Sequence, residues 1–207
     1  METGELQKVS GRSHRAALAL ADAAADRGLL DVAYGFADSP FGRLLVALTK
    51  RGVVRVAYPD HEVDQELQEL SAAVSPRILE SVAATANIRR ELEEYFEGKR
   101  RGFSVPVDLT TTQGFTRRVL EQTTRIPFGS VVTYRDVAGR AGSPKGMRAA
   151  GNALGSNPVP IVVPCHRVVR SGGGLGGYTG GLGRKVTLLA LEGIELPRAS
   201  GAARGRG

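Results

Sequence analysis

Two rhythms of apolar residues alternate along the first half of this chain. Leu30–Ala37, Leu44–Thr49 and Val53–Tyr58 are short apolar runs rich in β-branched residues and leucine, which predicts three strands. Ser39-Pro40-Phe41-Gly42 and Lys50-Arg51-Gly52 between them carry turn residues. His61–Val74 changes rhythm: Val63, Leu67, Leu70 and Val74 are spaced for one face of a helix. Asn87–Phe96 repeats it with Ile88, Leu92, Tyr95 and Phe96, and Gly98 sits where a helix would stop. Lys99–Gly102 and Pro106 mark a boundary, so residues 31–108 read as a small α/β domain. Ahead of it lies an extension, residues 1–30. It is polar without periodicity to about residue 14, then alanine-rich and helix-forming over Ser13–Arg27.

The second half is mostly helical in pattern. Thr112–Thr124 predicts a helix with Phe115, Val119 and Leu120 facing inward, ended by Ile126-Pro127-Phe128-Gly129. Val131-Val132-Thr133 is a short extended piece. Tyr134–Ala141 and Pro144–Leu154 are two helical segments joined through Gly142-Ser143, with Pro144 suited to a first turn, and the pair reads as a helix-turn-helix. A proline-punctuated apolar run (Asn157–Cys165), a glycine-rich loop (Ser171–Gly183) and a last helix (Arg184–Glu192) follow. Residues 109–196 therefore form a second domain. The Gly/Ala/Arg-rich composition of residues 197–207 is that of a disordered tail.

Charge separates the two halves. Residues 1–108 hold 14 Lys/Arg against 17 Asp/Glu, whereas residues 109–207 hold 14 against 4. A basic second half fits a polyanionic partner, and equally a glycine-rich domain kept soluble by Lys and Arg. The apolar stretches are too short and too rich in proline to span a membrane. The first residues have no apolar signal core. With one cysteine, no multi-thiolate zinc site is expected, and a reducing cytoplasm is the expected setting.

That cysteine carries the candidate chemistry. Ile161-Val162-Val163-Pro164-Cys165-His166-Arg167-Val168-Val169 places the thiol beside a histidine and an arginine, whose positive charge would lower the thiol pKa and favour the nucleophilic thiolate. From these three residues alone, an inert core cysteine is an equal alternative.

Pro164-Cys165-His166-Arg167 resembles the active-site signature of the methylated-DNA–protein cysteine methyltransferases, the O6-alkylguanine-DNA alkyltransferases. The similarity runs through Phe128–Gly193 and more weakly back to Asp38-Ser39-Pro40. Asn157-Pro158-Val159-Pro160, Gly177-Tyr178-Thr179-Gly180-Gly181 and Leu189-Ala190-Leu191-Glu192-Gly193 keep the family's spacing. The resemblance implies an α+β protein: a ribonuclease-H-like N-terminal domain, then a winged-helix-like domain carrying the helix-turn-helix. It also implies irreversible transfer of an alkyl group from O6-alkylguanine in double-stranded DNA, and as a second substrate from O4-alkylthymine, to Cys165. With one Cys and no clustered His, no cofactor or metal is expected.

The same resemblance assigns roles. Cys165 is the nucleophile, His166 the base acting through a water, Glu192 its polarising partner, and Asn157 the group that orients the segment. Tyr134, Val168, Tyr178 and Thr179 line the base; the carbonyls of Cys165 and Val168 accept from the guanine amine, and Thr179 faces its O6 edge. On the helix-turn-helix, Thr133, Tyr134, Ala149 and Gly151 meet the minor groove, and Arg148 fills the space of the flipped nucleotide. The small residues of Met147–Gly155 suit a narrow groove or, without the motif, close helix packing. The expected unit is a monomer, with cooperativity on DNA left open.

Departures from the family pattern are few. Thr179 stands where members commonly carry Ser or Gly, Gly155 where some carry Arg, and the Cys ligands of some relatives' zinc site are missing. A lesion-binding relative without chemistry, a cysteine hydrolase and a DNA-binding regulator are the rival readings. The first lacks the nucleophile, the second has no use for Arg148, and the third has none for the Cys–His–Glu set.

Overall fold

Three of the apolar runs form β1 (Val32–Ala37), β2 (Leu44–Thr49) and β3 (Gly52–Ala57), a meander of antiparallel neighbours with a register shift at Ala47/Leu48. The computed structural model describes residues 16–20, 23 and 27–195, and the chain divides into two compact units between Thr111 and Thr112. Residues 16–20 and 23 of the expected N-terminal helix are helical; its other positions before Arg27, and the tail after residue 195, lie outside the described residues.

In the first unit α1 (Val63–Ala73) and α2 (Val82–Phe96) cover opposite faces of the sheet. Val32 packs with Leu45, Val54 and Leu70 of α1, and Tyr34 and Phe36 join that cluster. The alternate residue Gly35 faces α2 instead: a Cβ there would lie 2.6 Å from Thr85 Oγ1, so this close approach requires glycine. α2 begins earlier than expected, at Val82 and not Asn87. The Ser81 side chain accepts from Ala84 N at 3.1 Å and caps the helix, while the small residues of its first turn leave no apolar signature. A fourth strand, β4 (Ile78–Glu80), was not expected; it is three residues long and exists by parallel pairing with β1, giving the order β3-β2-β1-β4.

The second unit holds α3 (Gly114–Thr123), β5 (Val132–Thr133), α4 (Tyr134–Arg140), α5 (Met147–Gly155), a 3-10 turn (Cys165–Arg167), β6 (Val168–Val169) and α6 (Leu182–Leu191). Helices α3, α4 and α5 pack together as a trio, burying Val119, Leu120, Val137, Ala150 and Ala153. Two expectations need correcting. Phe115 is only half-buried, with the Arg118 guanidinium 5.7 Å above its ring. Pro144 does not open α5; it sits in a turn closed by Gly146 N donating to Ser143 O at 2.8 Å, and the helix starts at Met147. The parallel pair β5–β6 registers Val132 with Val168 and Thr133 with Val169, and so anchors the first residue of α4, Tyr134, beside the cysteine segment. The architecture is α+β: a small sheet domain, then a helical one.

Candidate active site

Asn157 closes the segment that presents the cysteine. Buried just past α5, it donates from Nδ2 to Val163 O at 2.9 Å and to Cys165 Sγ at 3.1 Å, and its Oδ1 accepts from Val159 N at 3.0 Å. Val163 N donates to Val159 O at 2.9 Å across the same turn. Between them Ile161 has φ 75°, a left-handed conformation that costs a β-branched residue and persists because the flanking hydrogen bonds and burial over-determine it. The rigid turn delivers Cys165 into the 3-10 turn with 4% of its surface exposed.

The flanking cations do not lower the thiol pKa as the sequence suggested. Burial pushes Cys165 up to about 11, against the smaller opposing effects of the Asn157 hydrogen bond and the Lys185 charge. Arg167 is turned away and committed elsewhere. At neutral pH the resting group is a thiol, and a base must remove its proton.

His166 is fully buried, and its Nε2 lies 2.9 Å from Glu192 Oε1. A carboxylate only accepts, so Nε2 carries the proton and Nδ1 is left with its lone pair. Among the described residues Nδ1 is buried with no hydrogen-bond partner. Burial holds the His166 pKa below its ordinary value, with the Glu192 carboxylate pulling the other way. The ring is therefore a neutral, oriented base. Glu192 in turn is held by Arg167, whose Nε lies 2.9 Å from Oε2 and whose Nη2 lies 2.8 Å from Oε1; Gly129 N donates to Oε2 at 3.3 Å. Arg167 Nη1 donates to Ile126 O at 2.5 Å. Glu192 is 5% exposed, so its charge is compensated inside the protein.

Lys185 was missed by the sequence reading. Fully buried on α6, it donates from Nζ to Val168 O at 2.6 Å, Leu175 O at 2.5 Å and Gly177 O at 3.2 Å, pinning the glycine-rich loop to the strand after the cysteine. Burial pushes its pKa down to about 8 despite the attraction of Cys165. A signal was present: Lys185 shares its helical face with Leu188, Leu189 and Glu192, so a lysine occupies an inward position. One consequence touches an assigned residue, because the Val168 carbonyl already accepts from this lysine.

A cleft of about 520 Å³ opens over Cys165, lined by Tyr134, Met147, Arg148, Gly151, Tyr178, Thr179 and their neighbours. The Tyr134 hydroxyl donates to Gly177 O at 3.2 Å, and burial raises its pKa. Gly176, at φ +70°, lets the loop pass: a Cβ there would meet the Tyr134 hydroxyl at 2.6 Å. Gly151 lies against the other side of the same ring. The Tyr178 ring meets His166 edge-on, centroids 6.4 Å apart. The Thr179 hydroxyl bonds to Leu154 O at 3.2 Å and Gly155 O at 3.0 Å; its one proton serves the end of α5. Arg148 is exposed at the first turn of α5. Ala149 is exposed on that helix, outside the cleft lining. Thr133 also lies outside it, and its hydroxyl forms a reciprocal capping box with Asp136. Of the assigned residues, Cys165, Tyr134, Arg148, Gly151, Tyr178 and Thr179 line the cleft; His166, Glu192, Asn157 and Val168 are buried behind it, and Thr133 and Ala149 lie outside its lining. Among the described residues no group of three or more His, Cys, Asp or Glu side chains could hold a metal.

Comparison with known proteins bears on both units. Residues 32–109 match the family model described as 6-O-methylguanine DNA methyltransferase, ribonuclease-like domain, and residues 114–194 match its DNA binding domain. A methylated-DNA–protein-cysteine methyltransferase of Mycolicibacterium paratuberculosis is 39% identical over 161 residues, 78% of this chain and 92% of the relative. The constitutive one of Bacillus subtilis is 34% identical, covering 78% and 96%. Among solved structures, Mycobacterium tuberculosis OGT in complex with DNA superposes with TM-score 0.66 at 31% identity, over 78% of this chain and 93% of that one. With both domain models adjoining along the chain and relatives matched over nearly their whole length, this chain belongs to the methylated-DNA–protein-cysteine methyltransferases, enzymes of DNA repair.

Proposed function

We propose that this protein takes the alkyl group from O6-alkylguanine in duplex DNA and keeps it on Cys165. The observation that carries the reading is the pair of buried groups adjacent in sequence: a neutral thiol at Cys165, and at His166 an imidazole whose free Nδ1 is opposed by a Nε2 anchored on Glu192. The base enters the cleft after rotating out of the stack, because the alkyl carbon is inaccessible inside a duplex. His166 takes the thiol proton through a bridging water, and Glu192 stabilises the imidazolium that forms. The sulfur attacks the alkyl carbon in line. The S–C bond forms as the C–O6 bond breaks, the electron pair stays on O6, and the guanine anion is neutralised by the proton that His166 took from the thiol, returned through water.

Asn157 holds the segment, Tyr178 and Thr179 shape the wall, and the carbonyls of Cys165 and Val168 receive the guanine amine. Arg148 fills the space left in the helix, with Thr133, Ala149 and Gly151 along the groove. The same chemistry extends to O4-alkylthymine, whose alkyl ether is alike. A thioether is stable in water and nothing in the site regenerates the thiol, so each molecule acts once.

The test is intact mass after mixing with an O6-methylguanine duplex. One methyl per protein, located on Cys165 and absent from Cys165→Ala, is the expected result. Tight binding with unchanged mass would make it a lesion-binding protein, and repair continuing past equal stoichiometry would make it a turnover enzyme.

A further inference from the structure

The residues lining the cleft include two cations, Arg148 and Arg170, and no carboxylate. Arg148 has a role in the reading above; Arg170 has none. It follows β6 at the start of a tight turn in which Arg170 N donates to Gly174 O at 2.8 Å and Gly173 N donates to Arg170 O at 3.1 Å. Gly172 and Gly173 take φ +102° and +83° to make that turn. The Arg170 stem lies along Gly174, where a Cβ would sit 3.7 Å from its Cδ. Its residue is exposed, and its guanidinium has no hydrogen bond or ion pair among the described residues. Its charge acts on the buried Lys185 and on Tyr134 in the direction that lowers the pKa of each, against the larger effect of burial that keeps Tyr134 raised, so this exposed cation stands near a buried one.

We infer that Arg170 grips a backbone phosphate next to the rotated nucleotide, holding the base in the cleft. The inference rests on the reading that a flipped nucleotide occupies this cleft. Once the base enters toward Cys165, its own phosphates must lie at the mouth, where the lining offers an unpaired guanidinium and the Ser171 hydroxyl beside it. Guanidinium matches phosphate in two parallel hydrogen bonds, and the missing carboxylates leave no internal competitor. Arg148 and Arg170 then divide the work: one supports the emptied stack, the other the displaced backbone.

The experiment measures single-turnover alkyl transfer from an O6-methylguanine duplex at limiting protein over a salt series. It uses the wild type, Arg170→Ala and Arg170→Lys, with duplexes carrying one neutral methylphosphonate at each position flanking the lesion. Losing one phosphate contact reduces the slope of log rate constant against log salt by about 0.9. Arg170→Ala should show that reduction with a low-salt rate about tenfold lower, and Arg170→Lys should keep the slope. One methylphosphonate position should slow the wild type by a similar factor and leave Arg170→Ala no slower. A wild-type slope in Arg170→Ala, or equal sensitivity to every methylphosphonate in both proteins, overturns the phosphate grip. If the wild type gains no methyl at all, it is the reading of the site that fails, and the mass spectrum separates that case.

Discussion

Replacing Glu192 by Gln tests whether the buried charge network is held together as its geometry indicates. The carboxylate faces two nitrogens of Arg167, the His166 Nε2 and the Gly129 N–H, with its side chain fully buried and that of Arg167 7% exposed. Gln keeps the shape and one acceptor oxygen but removes the charge, and its amide group would point donors at a guanidinium. Breaking a buried ion pair from one side costs about 3–5 kcal/mol, because the remaining charge is left uncompensated. For a domain of this size each kcal/mol lowers the melting temperature by about 4–8 °C, so calorimetry should show a drop of more than about 10 °C in the transition of the second unit. Adding Arg167→Leu to Glu192→Gln removes the stranded charge and should recover a large part of that loss. Alkyl transfer should stay slow in both variants, since neither stabilises an imidazolium at His166. A loss below about 1 kcal/mol for Glu192→Gln, or a double variant less stable than the single one, would refute the account of Arg167 and Glu192 as a mutually compensating buried pair.

Arg148→Ala should slow transfer from duplex DNA by an order of magnitude or more, since flipping a stacked base costs a few kcal/mol, and should slow reaction with free O6-benzylguanine far less. A comparable loss on both substrates would place Arg148 in support of the pocket. The repair rate should fall on acidification with a midpoint below 6.5, because the base is His166 in its neutral form and its pKa is depressed; a midpoint above that value would contradict the burial argument. Iodoacetamide labelling of Cys165 should go on rising with pH past 9, toward the thiol's value of about 11, whereas a plateau near 9 would mean an unperturbed thiol. Gly176→Ala should displace Tyr134, because the new methyl would lie 2.7 Å from its ring in a backbone conformation only glycine adopts easily; an unaltered melting temperature and repair rate would disprove the clash.

The sequence alone determined the parts that depend on local pattern or on short motifs. Apolar runs bounded by turn residues located β1, β2 and β3, and helical spacing located α1, α3 and α6, each within a few residues. The Pro-Cys-His-Arg motif with its spaced partners identified the family. Tertiary structure decided what depends on distant segments meeting. β4 exists through pairing with β1, some forty residues earlier in the chain, and three residues carry no periodicity of their own. The full α2 depends on a serine cap ahead of a run of small residues. The thiol's ionisation was misjudged for the same reason. Adjacency in sequence put His166 and Arg167 beside Cys165, but the fold sends both side chains to Glu192, 26 and 25 residues away, and encloses the sulfur. Desolvation then outweighs the neighbouring charges, and burial is a property that no local window of sequence contains. Lys185 and Arg170 follow the same rule: each is an ordinary basic residue until the fold buries one under the glycine loop and leaves the other unpaired at the mouth of the cleft.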